Sequence, residues 1–133
     1  MKLIDDVLLN DLSLKAKSSP RLRASYDLRT TSEDQSQRIL NALEPGTIVP
    51  IHRHTKSTET VVLLRGKVKQ YIYSEDGVLE NTYIIEANTS AQGYIIPVGQ
   101  WHTTECVESG TILFESKDGA YEPLGERDIL KRI

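Results

Sequence analysis

Near its start the chain carries Ile4, Leu8 and Leu12 four residues apart, with Leu3 and Val7 beside them and mostly polar residues between. That spacing lays an apolar stripe along a helix and predicts one over residues 3–17. Asp5 and Asp6 stand near its start and Lys15 and Lys17 near its end, the polarity that suits the helix dipole. Ser18-Ser19-Pro20 stops it. Residues 21–37 are polar, hold Arg21, Arg23 and Arg29, and read as loop with one short strand near 24–28.

From residue 38 the periodicity changes to short strands and turns. Strands are expected at 38–43, 48–54, 60–64, 67–73, 78–86, 94–96, 103–107 and 111–115. Glu44-Pro45-Gly46 reads as a turn. Ser74-Glu75-Asp76-Gly77 reads as a hairpin loop, with glycine where a positive φ is needed. Many short strands at even spacing predict an all-β sandwich or barrel. With 133 residues and no repeat or linker, the pattern describes one domain. Its parts are an N-terminal helix within 1–19, a barrel core over 38–116, and a polar tail over 117–133 wrapping the outside.

Composition narrows the function classes. The net charge is −3 and the basic residues are scattered, which argues against a nucleic-acid footprint. No apolar run reaches membrane-spanning length. The N-terminus lacks the basic region and long apolar segment of a signal peptide. Cys106 is the only cysteine, which fits a reducing compartment, and a cytoplasmic location is expected.

The chemistry concentrates in two stretches. All three histidines, His52, His54 and His102, and the carboxylate of Glu59 fall in or beside strands. A His-x-His on an extended strand puts both imidazoles on one face. His102 follows Pro97-Val98-Gly99-Gln100, a turn that can bring a later strand alongside. A single histidine is most often a surface or hydrogen-bonded core residue, but here every histidine joins one pattern. Three neutral imidazoles and one carboxylate can hold a divalent first-row metal with coordination positions left open. Fe, Mn, Ni, Co and Zn all suit that set.

Gly46, His52, His54, Glu59 and Gly66 match the first cupin motif, G-x5-HxH-x4-E-x6-G, without a gap. Pro97, Gly99 and His102 match the core of the second motif, which departs at its ends: Ala91 stands at the leading Gly and Cys106 at the closing Asn. The chain thus resembles the cupin superfamily. The resemblance implies a jelly-roll barrel with an N-terminal helix and metal ligation by His52, His54, Glu59 and His102. The stretches at 19–23, 37–47 and 119–124 are similar to WbuC-type cupin-fold metalloproteins, a family associated with bacterial surface-polysaccharide gene clusters. That likeness implies a metalloprotein, not a known substrate.

Around the metal the sequence offers Arg21 and Arg23 as binders of an anionic group, and Asn41 and Gln70 as polar residues among inward-facing apolar ones. Each has a plainer reading, as a solvated loop arginine or a satisfied core amide. Cys106 shares a face with His102 and Thr104 and reads first as a small buried hydrophobe. A small polar or anionic molecule is the expected partner. A homodimer is expected too, because cupins often pair and the apolar helix needs a surface to cover. Three functions stay open: a metal-dependent sugar isomerase or epimerase, an Fe-dependent dioxygenase, and a non-catalytic small-molecule sensor.

Overall fold

The computed structural model describes residues 1–130; the last three positions of the expected tail, 131–133, lie outside the described residues. Helix α1 runs Asp6–Ser18. It starts later than the apolar spacing predicts because Asp5 caps it, its carboxylate accepting a hydrogen bond from the Leu8 amide at 3.1 Å. Ile4 therefore lies before the helix and is exposed, as is Val7. The buried seam is Leu9, Leu12 and Ala16, rather than one through Ile4, Leu8 and Leu12, and it packs on Leu40, Ala42 and Ile112. The helix thus packs its buried seam on its own sheet, while Leu3, Ile4, Val7 and Leu14 stay exposed.

Eight strands follow: β1 (Arg23–Asp27), β2 (Ser36–Leu43), β3 (Glu59–Arg65), β4 (Lys67–Tyr73), β5 (Leu79–Glu86), β6 (Gly93–Ile96), β7 (Trp101–Cys106) and β8 (Thr111–Asp118). They pair antiparallel throughout, in a five-stranded sheet ordered β1-β2-β8-β3-β6 and a three-stranded sheet ordered β5-β4-β7. Leu43, Val61, Leu63, Val68, Ile85, Cys106 and Leu113 close the space between the sheets. Burying each large aliphatic side chain is worth roughly 1.5–3 kcal/mol, so this apolar floor holds the sandwich shut at one end. Period-two alternation then puts Asn41 on the same face of β2 as Leu43, and Glu115 and Lys117 on the same face of β8 as Leu113. Polar groups therefore enter the same interior above the floor.

Two segments differ from the sequence expectation. Residues 48–54 form no strand; only His52 makes isolated bridges, to His102 and to Ile129. Pro50 has no N–H for a ladder, and the Val49 carbonyl accepts from the Thr103 hydroxyl at 2.7 Å instead of from a strand amide. The tail also does more than wrap the outside. Lys117 and Asp118 extend β8, residues 119–124 border the main cavity, and a 3-10 turn covers Glu126–Asp128. Leu130 then packs with Ile51, Tyr73 and Trp101, its amide donating to the Ile51 carbonyl at 2.8 Å.

The chain passes from one sheet to the other at Gly66, where φ is +84°. A Cβ there would stand 2.6 Å from Thr111 Cα and 2.1 Å from its hydroxyl, so both the conformation and the space demand glycine. Gly66→Ala should cost about 2 kcal/mol or more, read as a lower urea midpoint. An unchanged midpoint would mean that the β3–β4 turn does not lie against β8.

Candidate metal centre

His52 and His102 face each other through two backbone hydrogen bonds, His52 N–H to His102 C=O and the reverse, both 2.9 Å. Their rings stand 4.3 Å apart between centroids. His54 is fastened separately: its carbonyl accepts from the Gly99 amide at 2.8 Å. Gly99 has φ +81°, which lets the 97–100 turn fold back so that its amide points at His54. Between the two histidines Arg53 lies over the Trp101 ring at 4.6 Å and pairs with Asp128 at 3.4 Å. Glu59 opens β3, opposite Ile96 on β6 and Lys117 on β8.

One donor atom from each of His52, His54, Glu59 and His102 lies within 4.8 Å of all the others. Donors on opposite sides of a first-row ion stand about 4.2 Å apart, given ligand distances of about 2.1 Å, so the set closes on an ion with small side-chain movements. Three observations show that the residues fit such an ion. The Nδ1 atoms of His52 and His102 lie 2.8 and 2.9 Å from the carbonyls of Pro50 and Gln100. A carbonyl only accepts, so each Nδ1 carries the proton and each Nε2 presents a lone pair, the arrangement that orients metal-binding imidazoles. The third is His54 Nε2, which is buried, 3.0 Å from Glu59 Oε2, and without a hydrogen-bond partner among the described residues.

The electrostatics hold these groups in ligand form. Burial, then the nearby His102, lowers His52 to about 4, and burial lowers His102 despite the charge of Glu59. Both are neutral at pH 7. Burial alone would raise Glu59, but the His54 imidazole and the Lys117 ammonium outweigh it and hold the carboxyl at about 2, so it is ionised.

The four side chains form one wall of a cavity of about 820 Å³ that continues along β1, β2 and β8 to the tail. Of the other residues singled out in the sequence, Arg23 and Asn41 line this cavity, whereas Arg21 and Gln70 do not. Arg21 is exposed on the turn after α1, its amide bonded to Ser19 Oγ. Gln70 is 1% exposed and lies behind Thr104, whose hydroxyl donates to its carbonyl oxygen. Cys106 sits in the apolar floor, its thiol pushed up by burial and directed at the Leu43 and Glu108 carbonyls.

Glu115 escaped the sequence reading. It lines the cavity, accepts a hydrogen bond from the Asn41 amide, and is pushed up to about 7 by burial and by Glu59, against the pull of Lys117 and Arg23. The signal was present: on strand 111–115 it shares a face with Leu113, an acidic residue at an inward position.

Two antiparallel sheets with a histidine-rich mouth define a cupin fold, and solved structures agree. A recombinant oxalate oxidase in complex with glycolate superposes with TM-score 0.62 at 19% identity, over 79% of this chain and 55% of that one. CapF from Staphylococcus aureus, a capsular polysaccharide assembling protein, gives 0.65 at 19%, over 79% and 28%. KdgF from Halomonas sp. gives 0.60 at 9%, over 77% and 83%. The chain therefore spans about half of that oxalate oxidase and under a third of CapF. A family model described as "Domain of unknown function (DUF6016)" matches residues 4–85. The chain belongs to that family, whose matched span takes in His52, His54 and Glu59 and ends before His102. No curated protein matches the chain.

The titration of Glu115 has a signature in stability. Its folded value, about 7, lies above its ordinary 4.5, so the folded chain holds this proton more tightly than the unfolded chain. The stability contributed is complete below pH 4.5 and is lost as pH rises through 7. In urea unfolding of metal-free protein, wild type should lose stability relative to Glu115→Gln across that window. Parallel pH curves for the two proteins would contradict the burial of this carboxyl.

Proposed function

We propose that this chain is a metalloprotein in which His52, His54, Glu59 and His102 hold one divalent transition metal beside a pocket for a small polar, anionic, sugar-derived molecule. The observation that carries this reading is the pair of Nδ1–H contacts to the Pro50 and Gln100 carbonyls, which aim two Nε2 lone pairs toward an ionised Glu59. Three imidazoles and a carboxylate suit Fe(II), Mn(II), Co(II), Ni(II) or Zn(II).

When bound, the metal supplies Lewis-acid polarisation of an oxygen on the bound molecule. The chain's own residues supply the rest. Glu115 holds its proton near neutrality and is placed to give or take one at its carboxyl oxygen, the property required of a general acid or base. Asn41 steadies that carboxyl through its amide hydrogen bond. The tail at residues 119–124 screens one side of the cavity from bulk water.

A half-buried proton-handling group beside the ligand cluster favours proton transfer, as in isomerisation or epimerisation. Neither dioxygen chemistry nor a passive sensor requires it. The sugar-derived substrate draws support from the WbuC-type resemblance, and CapF, one of the similar structures, is named for capsular polysaccharide assembly.

Metal analysis of purified protein tests the reading. Wild type should carry one metal per chain. His52→Ala and His102→Ala should each lose most of it and melt at lower temperature, because metal bound only to the folded state adds to folding free energy. Full metal content in both variants would refute the assignment.

A further inference from the structure

Among the described residues, six Lys and Arg side chains line the cavity. Arg29, Arg38, Arg53, Lys56 and Lys117 each have a carboxylate oxygen at 2.7–3.7 Å. Arg23 is the exception: among the described residues it forms no ion pair and donates no side-chain hydrogen bond. It is nevertheless half-buried, and burial, followed by the charge of Arg21, works against its guanidinium, with only Glu115 in partial support. The five N–H donors of Arg23 therefore meet no protein acceptor among the described residues and stay open, on the cavity side, to a bound molecule.

The backbone spends energy to put it there. Leu22, just before β1, has φ +56°, a left-handed conformation that costs a branched-chain residue on the order of 1 kcal/mol or more. Three hydrogen bonds impose it. The Leu22 amide donates to the Ser19 carbonyl at 3.0 Å, and its carbonyl accepts from the Glu44 amide at 3.0 Å and from the Thr47 hydroxyl at 2.5 Å. The turn separates the fates of neighbouring arginines: Arg21 stays in solvent, and Arg23 enters β1 opposite Leu43 and faces the cavity.

Resting on the metal-site reading above, we infer that Arg23 is the anchor for a carboxylate on the bound molecule, which makes the ligand a hydroxy acid that reaches the metal ligands with an oxygen at its other end. A guanidinium fork matches a carboxylate bidentately. Among the described residues Arg23 is the single unpaired cation of the cavity, and with Glu115 close by it balances one negative charge and not the two of a phosphate monoester. The Asn41 carbonyl oxygen, buried and without a partner among the described residues, offers an acceptor between Arg23 and the metal ligands for a hydroxyl of the same molecule.

The test uses full-length protein and follows the Arg23 Nε–H resonance in a 15N spectrum, assigned by its disappearance in Arg23→Lys. Titration with glycolate should shift that signal saturably, with a Kd on the order of 1 mM. Arg23→Lys, read through the backbone amide signals of β1 and β2 that move in the wild-type titration, should bind glycolate about tenfold more weakly, since a lysine cannot form the fork. Inorganic phosphate should bind more weakly than glycolate. No saturable shift, or equal affinity in Arg23→Lys, would overturn the anchor, and tighter binding of phosphate would overturn the carboxylate assignment. Repeating the titration on His52→Ala separates the two readings. The Arg23 shift should survive there even if metal is lost, and it should appear in wild type even if the four-ligand assignment is wrong.

Discussion

The reciprocal pair of backbone hydrogen bonds between His52 and His102 is the constraint on which the site depends. It joins a segment that belongs to no sheet to the first turn of β7, and it does so at the two residues whose imidazoles must converge. A regular strand at 48–54 would spread its side chains evenly on two faces. The irregular segment instead lets Pro50 and Gln100 turn their carbonyls back onto the imidazoles two residues along. The same hydrogen bonds that position the rings select their tautomers. The Gly99 amide to His54 and the Leu130 amide to Ile51 then hold the segment from either side, so the geometry does not rest on side chains alone.

A division of labour along the interior makes this polar mouth affordable. Below, Leu43, Val61, Leu63, Val68 and Leu113 form a dry floor, and on the far face of the larger sheet α1 adds a second apolar layer. Above, the interior holds Glu59, Glu115, Asn41 and the histidines, whose burial would be expensive if they were unpaired. The chain meets that cost in three ways: by neutral imidazoles at His52 and His102, by a carboxylate compensated by Lys117, and by a carboxyl that keeps its proton to near neutrality. Each solution leaves a group in a chemically useful state, which is why structural economy and the proposed chemistry point to the same residues.

Much of this was legible in the sequence, for physical reasons that also mark where legibility ends. Period-two alternation and the Gly77 turn placed most strands within a residue or two, and the spacing of His52, His54, Glu59 and His102 foretold their convergence. The helix seam was misread because Asp5, counted only as a charge near the start, acts as the cap and shifts the start of the helix. The strand at 48–54 failed because Pro50 breaks a ladder whatever its neighbours' β propensity. Arg21 and Arg23 looked equivalent in sequence; a positive φ at Leu22 separates them, and nothing in a leucine announces that conformation. Glu115 was missed because an acidic residue ending a strand reads as solvent-facing unless its alternation with Leu113 is followed through. Lys117 was missed for the same reason, one turn of the pleat further along.

The central claim is that three imidazoles and one carboxylate, with no thiolate, surround a single ion. X-ray absorption at the edge of the metal in the loaded protein reads that set directly. The expected spectrum has nitrogen and oxygen donors near ~2.1 Å and the outer-shell multiple scattering of about three imidazoles. A sulfur shell near ~2.3 Å, which only Cys106 or Met1 could supply, or a spectrum without imidazole scattering, would contradict the account.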